Sequence, residues 1–100
     1  MFAQVMRFAL KRDAWGALEE LDRRWQTEQA PQAPGFKGSY LLREQGAPNR
    51  CVLIALFESE EHARQNSARP ETNEFYESLL KLVDGQVHFI DTDVVTSYLL

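Results

Sequence analysis

The stretch Arg50 to Glu58, RCVLIALFE, has no polar face. In an extended chain Val52, Ile54 and Leu56 point one way, and Cys51, Leu53, Ala55 and Phe57 point the other. A strand greasy on both sides must be covered on both sides, which predicts a central strand with helices against one face and a further layer against the other. The rest of the chain has to supply those layers.

Phe2 to Leu10 alternates as a first strand, with Phe2, Gln4, Met6, Phe8 and Leu10 sharing one face and Ala3, Val5, Arg7 and Ala9 the other. Asp13 is placed to cap a helix running from Ala14 to about Gln29, with an apolar stripe of Ala14, Ala17, Leu18, Leu21 and Trp25. Pro31 and Pro34 end it, and Gly35 is free to take a positive φ. Phe36 to Glu44 reads as the second strand, with Phe36, Gly38, Tyr40 and Leu42 on one face. Gly38 inside it suggests a bulge or a close approach. The turn QGAPN leads into the third strand, Arg50 to Glu58. Ser59 caps a second helix that Pro70 either kinks or divides, the later piece running from about Glu71 to Val83 and stopping at Asp84-Gly85. Gln86 to about Val95 is a fourth strand, followed by the apolar tail TSYLL.

The order β-α-β-β-α-β defines an α+β fold of ferredoxin-like type, one domain over residues 1–100, with an antiparallel sheet and both helices on one face. Two helices cover only one side of four strands. Val52, Ile54 and Leu56 would then lie in water, and patches of that kind are unusual on monomers. The expectation is a homodimer in which two sheets pack face to face. Tyr98, Leu99 and Leu100 fit docking onto the partner or, equally, onto their own subunit.

A formal net charge of -4, without a basic block, argues against nucleic-acid binding. No apolar run approaches the about 20 residues needed to cross a bilayer, and the start MFAQVMRFAL lacks a signal-peptide pattern. The expected location is the cytoplasm, away from membranes. The lone Cys51 lies in an apolar run and reads as a small buried residue.

Three stretches, APGFKGSYLL, VLIALFESEEHA and EFYESLLKLVDG, resemble the antibiotic biosynthesis monooxygenase group of the dimeric α+β barrel superfamily, across nearly the whole chain. The resemblance implies a ligand pocket between sheet and helices, and an activity drawn from cofactor-free quinol oxygenation, haem degradation or isomerisation. Members often carry Trp late in strand three, where this chain has Phe57. The haem degraders need an Asn on strand one and a His within helix two, and neither is present at the matching places.

His62, beside Glu61, reads as a surface histidine; His88 falls on strand four on the face with Ile90. The two are not at metal-ligand spacing, so no metal is expected, and Asp91 and Asp93 read as edge solvation. Candidate catalytic residues are His88, Tyr40 and Arg7. Trp25, Tyr40, Phe57, Asn66, Phe75 and Tyr76 are the candidate substrate-binding set, since aromatics with a few polar groups suit a flat ligand. The expected function is a small cofactor-independent monooxygenase-like protein acting on an aromatic or quinol-type molecule, with no cofactor. The alternative is a non-catalytic ligand-binding or stress-associated homodimer of the same fold.

Overall fold

Strands β1 (Phe2–Leu10) and β3 (Arg50–Phe57) form the centre of a four-stranded antiparallel sheet in this computed structural model, which describes residues 1–100. The order across the sheet is β2 (Phe36–Arg43), β3, β1 and β4 (Val83–Asp93). That is the ferredoxin-like order, with the doubly greasy strand inside the sheet as its composition demands.

Three helices, α1 (Trp15–Arg24), α2 (Glu60–Ser67) and α3 (Pro70–Leu80), cover one face. Leu18 of α1 and Leu79 of α3 pack with Met6, Phe8, Leu10, Cys51, Leu53 and Val83, and both leucines are fully buried. Ala63 of α2 packs with Phe2 and Phe57 at the other end. Pro70 divides the second helical region. Arg69 is extended, as the residue before a proline prefers, and Pro70 occupies a position in the first turn of α3 where its missing N–H costs nothing. Ser59 caps α2 as expected, its hydroxyl accepting from the His62 N–H at 3.2 Å.

Several local expectations are corrected. Asp13 does not cap α1: it sits at φ 60° in the turn after β1, where Ala14 N–H donates to Lys11 O, and the residue preceding the helix is Ala14. The α-helix ends at Arg24 and continues as a π-helical turn, Trp25–Gln29, then a short 3-10 turn, Ala30–Gln32. Ala17 is exposed, and Asp22 takes a place in the buried stripe instead. Asp84-Gly85 does not stop α3. Val83 already opens β4, paired with Leu10 and 4% exposed, because burying it in the core outweighs one more turn of helix.

The opening of β2 is the most consequential local feature. A register irregularity between Phe36 and Gly38 inserts a bulge. Phe36 therefore stays on the helix side, edge-on to Phe57 with ring centroids 5.6 Å apart, while Gly38, Tyr40 and Leu42 turn to the opposite face. The expected shared face of Phe36 and Tyr40 does not exist. Just before it, Gly35 has φ 66° and lies directly under the His62 ring. His62 is half-buried with its Nδ1 2.7 Å from the Ser59 hydroxyl, so it is a packing residue of this corner rather than a surface histidine.

The sheet's other face carries Val52, Ile54 and Leu56, all half-buried, flanked by Tyr40, Leu42 and Ile90, which are exposed. Of the tail, Val95, Tyr98, Leu99 and Leu100 are exposed, so docking onto the same subunit is not what the chain does.

Candidate functional site

Between sheet and helices lies a cavity of about 60 Å³. This is well under the about 150 Å³ of an apolar cavity that takes up benzene, so a ring enters only where neighbouring side chains give way. Its floor comes from Gln4 and Met6 of β1, Phe36 and Ser39 of β2, and Leu53, Ala55 and Phe57 of β3. The helices supply the roof: Asp22, Trp25, Asn66, Thr72 and Phe75. Trp25 and Phe75 stack at a tilt with centroids 5.5 Å apart, closing one side. Met6, Gln4, Thr72 and Phe75 also border an adjoining compartment of about 200 Å³ that reaches Tyr76 and Phe89, themselves 5.5 Å apart. Methionine is the most adaptable of these walls, so the two spaces can exchange room at low cost.

The structure brings together four of the sequence-derived ligand residues, Trp25, Phe57, Asn66 and Phe75, and places Tyr76 in the adjoining compartment. Tyr40 is corrected: the bulge ahead of it sends its side chain to the open sheet face, 54% exposed. Arg7 and His88 are likewise corrected as pocket residues. They are register partners between β1 and β4 on that same open face, and both are exposed; they border a shallow hollow with Glu44, Arg50 and Asp84. Alternation along β1 allows no other outcome once Met6 faces the helices.

Two polar side chains dominate the cavity. Asn66, at the end of α2, is buried; its Oδ1 accepts from the Thr72 hydroxyl at 3.2 Å, which leaves its Nδ2 donors without a partner in the chain. Asp22, on the inward stripe of α1 three residues before Trp25, is 7% exposed. Its Oδ2 accepts from Gln26 Nε2 at 2.8 Å, and burial pushes its carboxyl above the usual range, with the Gln26 bond opposing more weakly. Asp22 was not among the residues singled out in the sequence. The available signal was its place in the stripe, four residues after Leu18, where a carboxylate is out of keeping with its neighbours.

The two other notable side chains are structural. Trp15 donates from Nε1 to Pro48 O at 2.6 Å and carries the Arg43 guanidinium 4.5 Å above its ring, pinning the β2–β3 turn to α1. The Cys51 thiol, 2% exposed and 3.5 Å from Phe8 O, is pushed up to about 11 by burial, which leaves it unreactive near neutral pH. No three His, Cys, Asp or Glu side chains converge anywhere in a metal-binding group, and no helix is long and apolar enough to cross a membrane.

Fold and cavity together define an α+β protein with an aromatic-lined chamber between its layers. No protein-family model matches the chain, and no curated protein does. Solved structures do match. SnoaB, a cofactor-independent oxygenase from Streptomyces nogalater solved as an asparagine-to-alanine mutant, superposes with a TM-score of 0.83, over 96% of this chain and 94% of that one, at 22% identity. A candidate antibiotic biosynthesis monooxygenase from Nitrosomonas europaea gives 0.81 over 94% and 89% at 16% identity. Another from Deinococcus radiodurans gives 0.80 over 100% and 98% at 12% identity. At these identities the likeness shows the fold, which is that of the group the sequence resembles.

Proposed function

We propose that this chain is a small cofactor-independent monooxygenase-like protein that takes an aromatic, quinol-type molecule into the cavity between helices and sheet. The observation that carries this reading is the pairing of an aromatic wall, Trp25, Phe75 and Phe57, with the unpartnered Asn66 donors. A flat ligand stacks on the wall while the amide donates to an oxygen on which negative charge develops. Once deprotonated, such a substrate can reduce oxygen itself. A ring CH₂ becomes a carbonyl carrying one oxygen atom, the second leaves as water, and the substrate supplies every electron. The name of SnoaB as a cofactor-independent oxygenase supports this chemistry on this fold.

Oxygen uptake with a panel of anthrones and naphthohydroquinones tests it. The chain should exceed the uncatalysed rate, and Asn66→Ala should lower kcat/KM by about 10²–10³, the usual cost of one oxyanion donor. Uptake at the blank rate, for every member of the panel, sinks the oxygenase reading. The small chamber and Phe57 in place of the group's common Trp favour the second reading, a non-catalytic ligand binder. Saturable quenching of tryptophan fluorescence by the same compounds without uptake would mark it.

The same proposal includes a homodimer formed through the open sheet face and, given the lone buried thiol, work in the reducing cytoplasm. The uncovered Val52, Ile54 and Leu56, with the exposed Tyr40, Leu42 and Ile90 beside them, support the dimer.

A further inference from the structure

The cavity described above contains one titratable side chain among its twelve lining residues, and that side chain is Asp22. A buried carboxylate ordinarily comes with a cation or with several donors that satisfy its oxygens. Asp22 has neither. Its single hydrogen bond is from the Gln26 amide to Oδ2, and Oδ1 has no partner in the chain. Arg23, its neighbour on α1, is turned to Glu20 at 2.6 Å, and Arg69 at the α2–α3 junction reaches Gln29 and Glu71, its buried Nη1 unpartnered, without pairing with Asp22. An acceptor left open at the edge of an aromatic chamber is free to take a hydrogen bond from a ligand that brings a donor.

Resting on the reading that the chamber holds an aromatic molecule, we propose that Asp22 is the proton acceptor for a ring hydroxyl of that ligand. Oδ1 first accepts the hydrogen bond of the hydroxyl and then takes its proton. The aryl O–H bond breaks, a carboxylic acid forms, and the electron pair stays on the ring oxygen as aryloxide. No electron leaves the pair in this step. Asn66, across the same chamber, can then donate to an oxygen of the resulting anion. Burial of Asp22 raises its affinity for protons, which brings it nearer to a phenol than an exposed aspartate would be. The ligand class is thereby narrowed from aromatic molecules in general to those with a free phenolic hydroxyl.

The test begins with binding, read from tryptophan fluorescence, so that it does not depend on turnover. β-Naphthol should bind at least about tenfold more tightly than its O-methyl ether, the range of a hydrogen bond to a charged acceptor. Asp22→Asn, which keeps the side-chain shape, should reduce that preference to within about twofold while the methyl ether binds as before. If the wild-type chain does not prefer the hydroxyl, or if the preference survives in Asp22→Asn, Asp22 does not read it and the inference is overturned. Binding of (naphthylmethyl)ammonium more than about tenfold tighter than β-naphthol, lost in Asp22→Asn, would overturn it differently, by showing a cation site. Where oxygen uptake exists, Asp22→Asn should lower kcat about 10²-fold or more with a smaller change in KM; unchanged kcat would overturn the proton-transfer step. The hydroxyl preference without any uptake defeats the oxygenase reading and leaves the Asp22 contact standing, so the two fail separately.

Discussion

Two residues show how single positions set this fold's limits. Gly35 combines a left-handed backbone with a Cβ position already filled by the His62 ring. Gly35→Ala should cost at least about 2 kcal/mol, from positive-φ strain and the displaced ring together; denaturant titration showing less than half of that would contradict the close packing. Asp22 predicts a pH effect. Burial pushes its folded-state value above the ordinary 3.8, so the native chain holds this proton more tightly than the unfolded chain. The stabilising contribution of the protonated form is therefore present below the unfolded value and is lost as pH rises through the raised folded value. Asp22→Asn should unfold at a higher temperature than wild type near neutral pH, with the advantage shrinking to nothing below about pH 4. Thermal melts across that range check it, and a gap that widens on acidification would refute the assigned sign.

At the scale of elements, helix ends and strand irregularities decide what the site contains. The Ser59 cap starts α2 in the register that carries Asn66 to the chamber, and the same hydroxyl holds His62 over Gly35. Ser59→Ala should cost about 1 kcal/mol, measured as a lower denaturation midpoint with an unchanged slope. The α2 and α3 limits at Ser59 and Pro70 were legible because caps and prolines act locally. The π-helical turn at Trp25–Gln29 was not, because nothing in WQTEQ distinguishes it from α-helix. The bulge in β2 was legible at Gly38 as an irregularity, yet its consequence for Tyr40 was not: one inserted residue flips every later side chain to the other face.

For the whole molecule, the decisive feature is a sheet covered on one face only within a single chain. If two copies shield one another there, Ile54→Lys places a charge at the centre of the apposed sheets while touching no helix contact. Sedimentation or gel filtration at micromolar concentration should give a dimer for wild type and a monomer for Ile54→Lys, with the variant's helical circular dichroism retained. A wild-type chain that elutes as a monomer removes the dimer and with it the reason offered for Val52, Ile54 and Leu56.

The sequence by itself determined the element order, the central place of β3 and the aromatic residues Trp25, Phe57 and Phe75, because alternation, helical spacing and local breakers are read along the chain. Only the tertiary structure decided that Asp22 and Asn66 share one chamber, and that Tyr40, Arg7 and His88 lie outside it. Which residues meet across layers depends on strand register and on the rotation of each helix about its axis, and a single bulge or widened turn resets both without leaving a distinctive mark in composition.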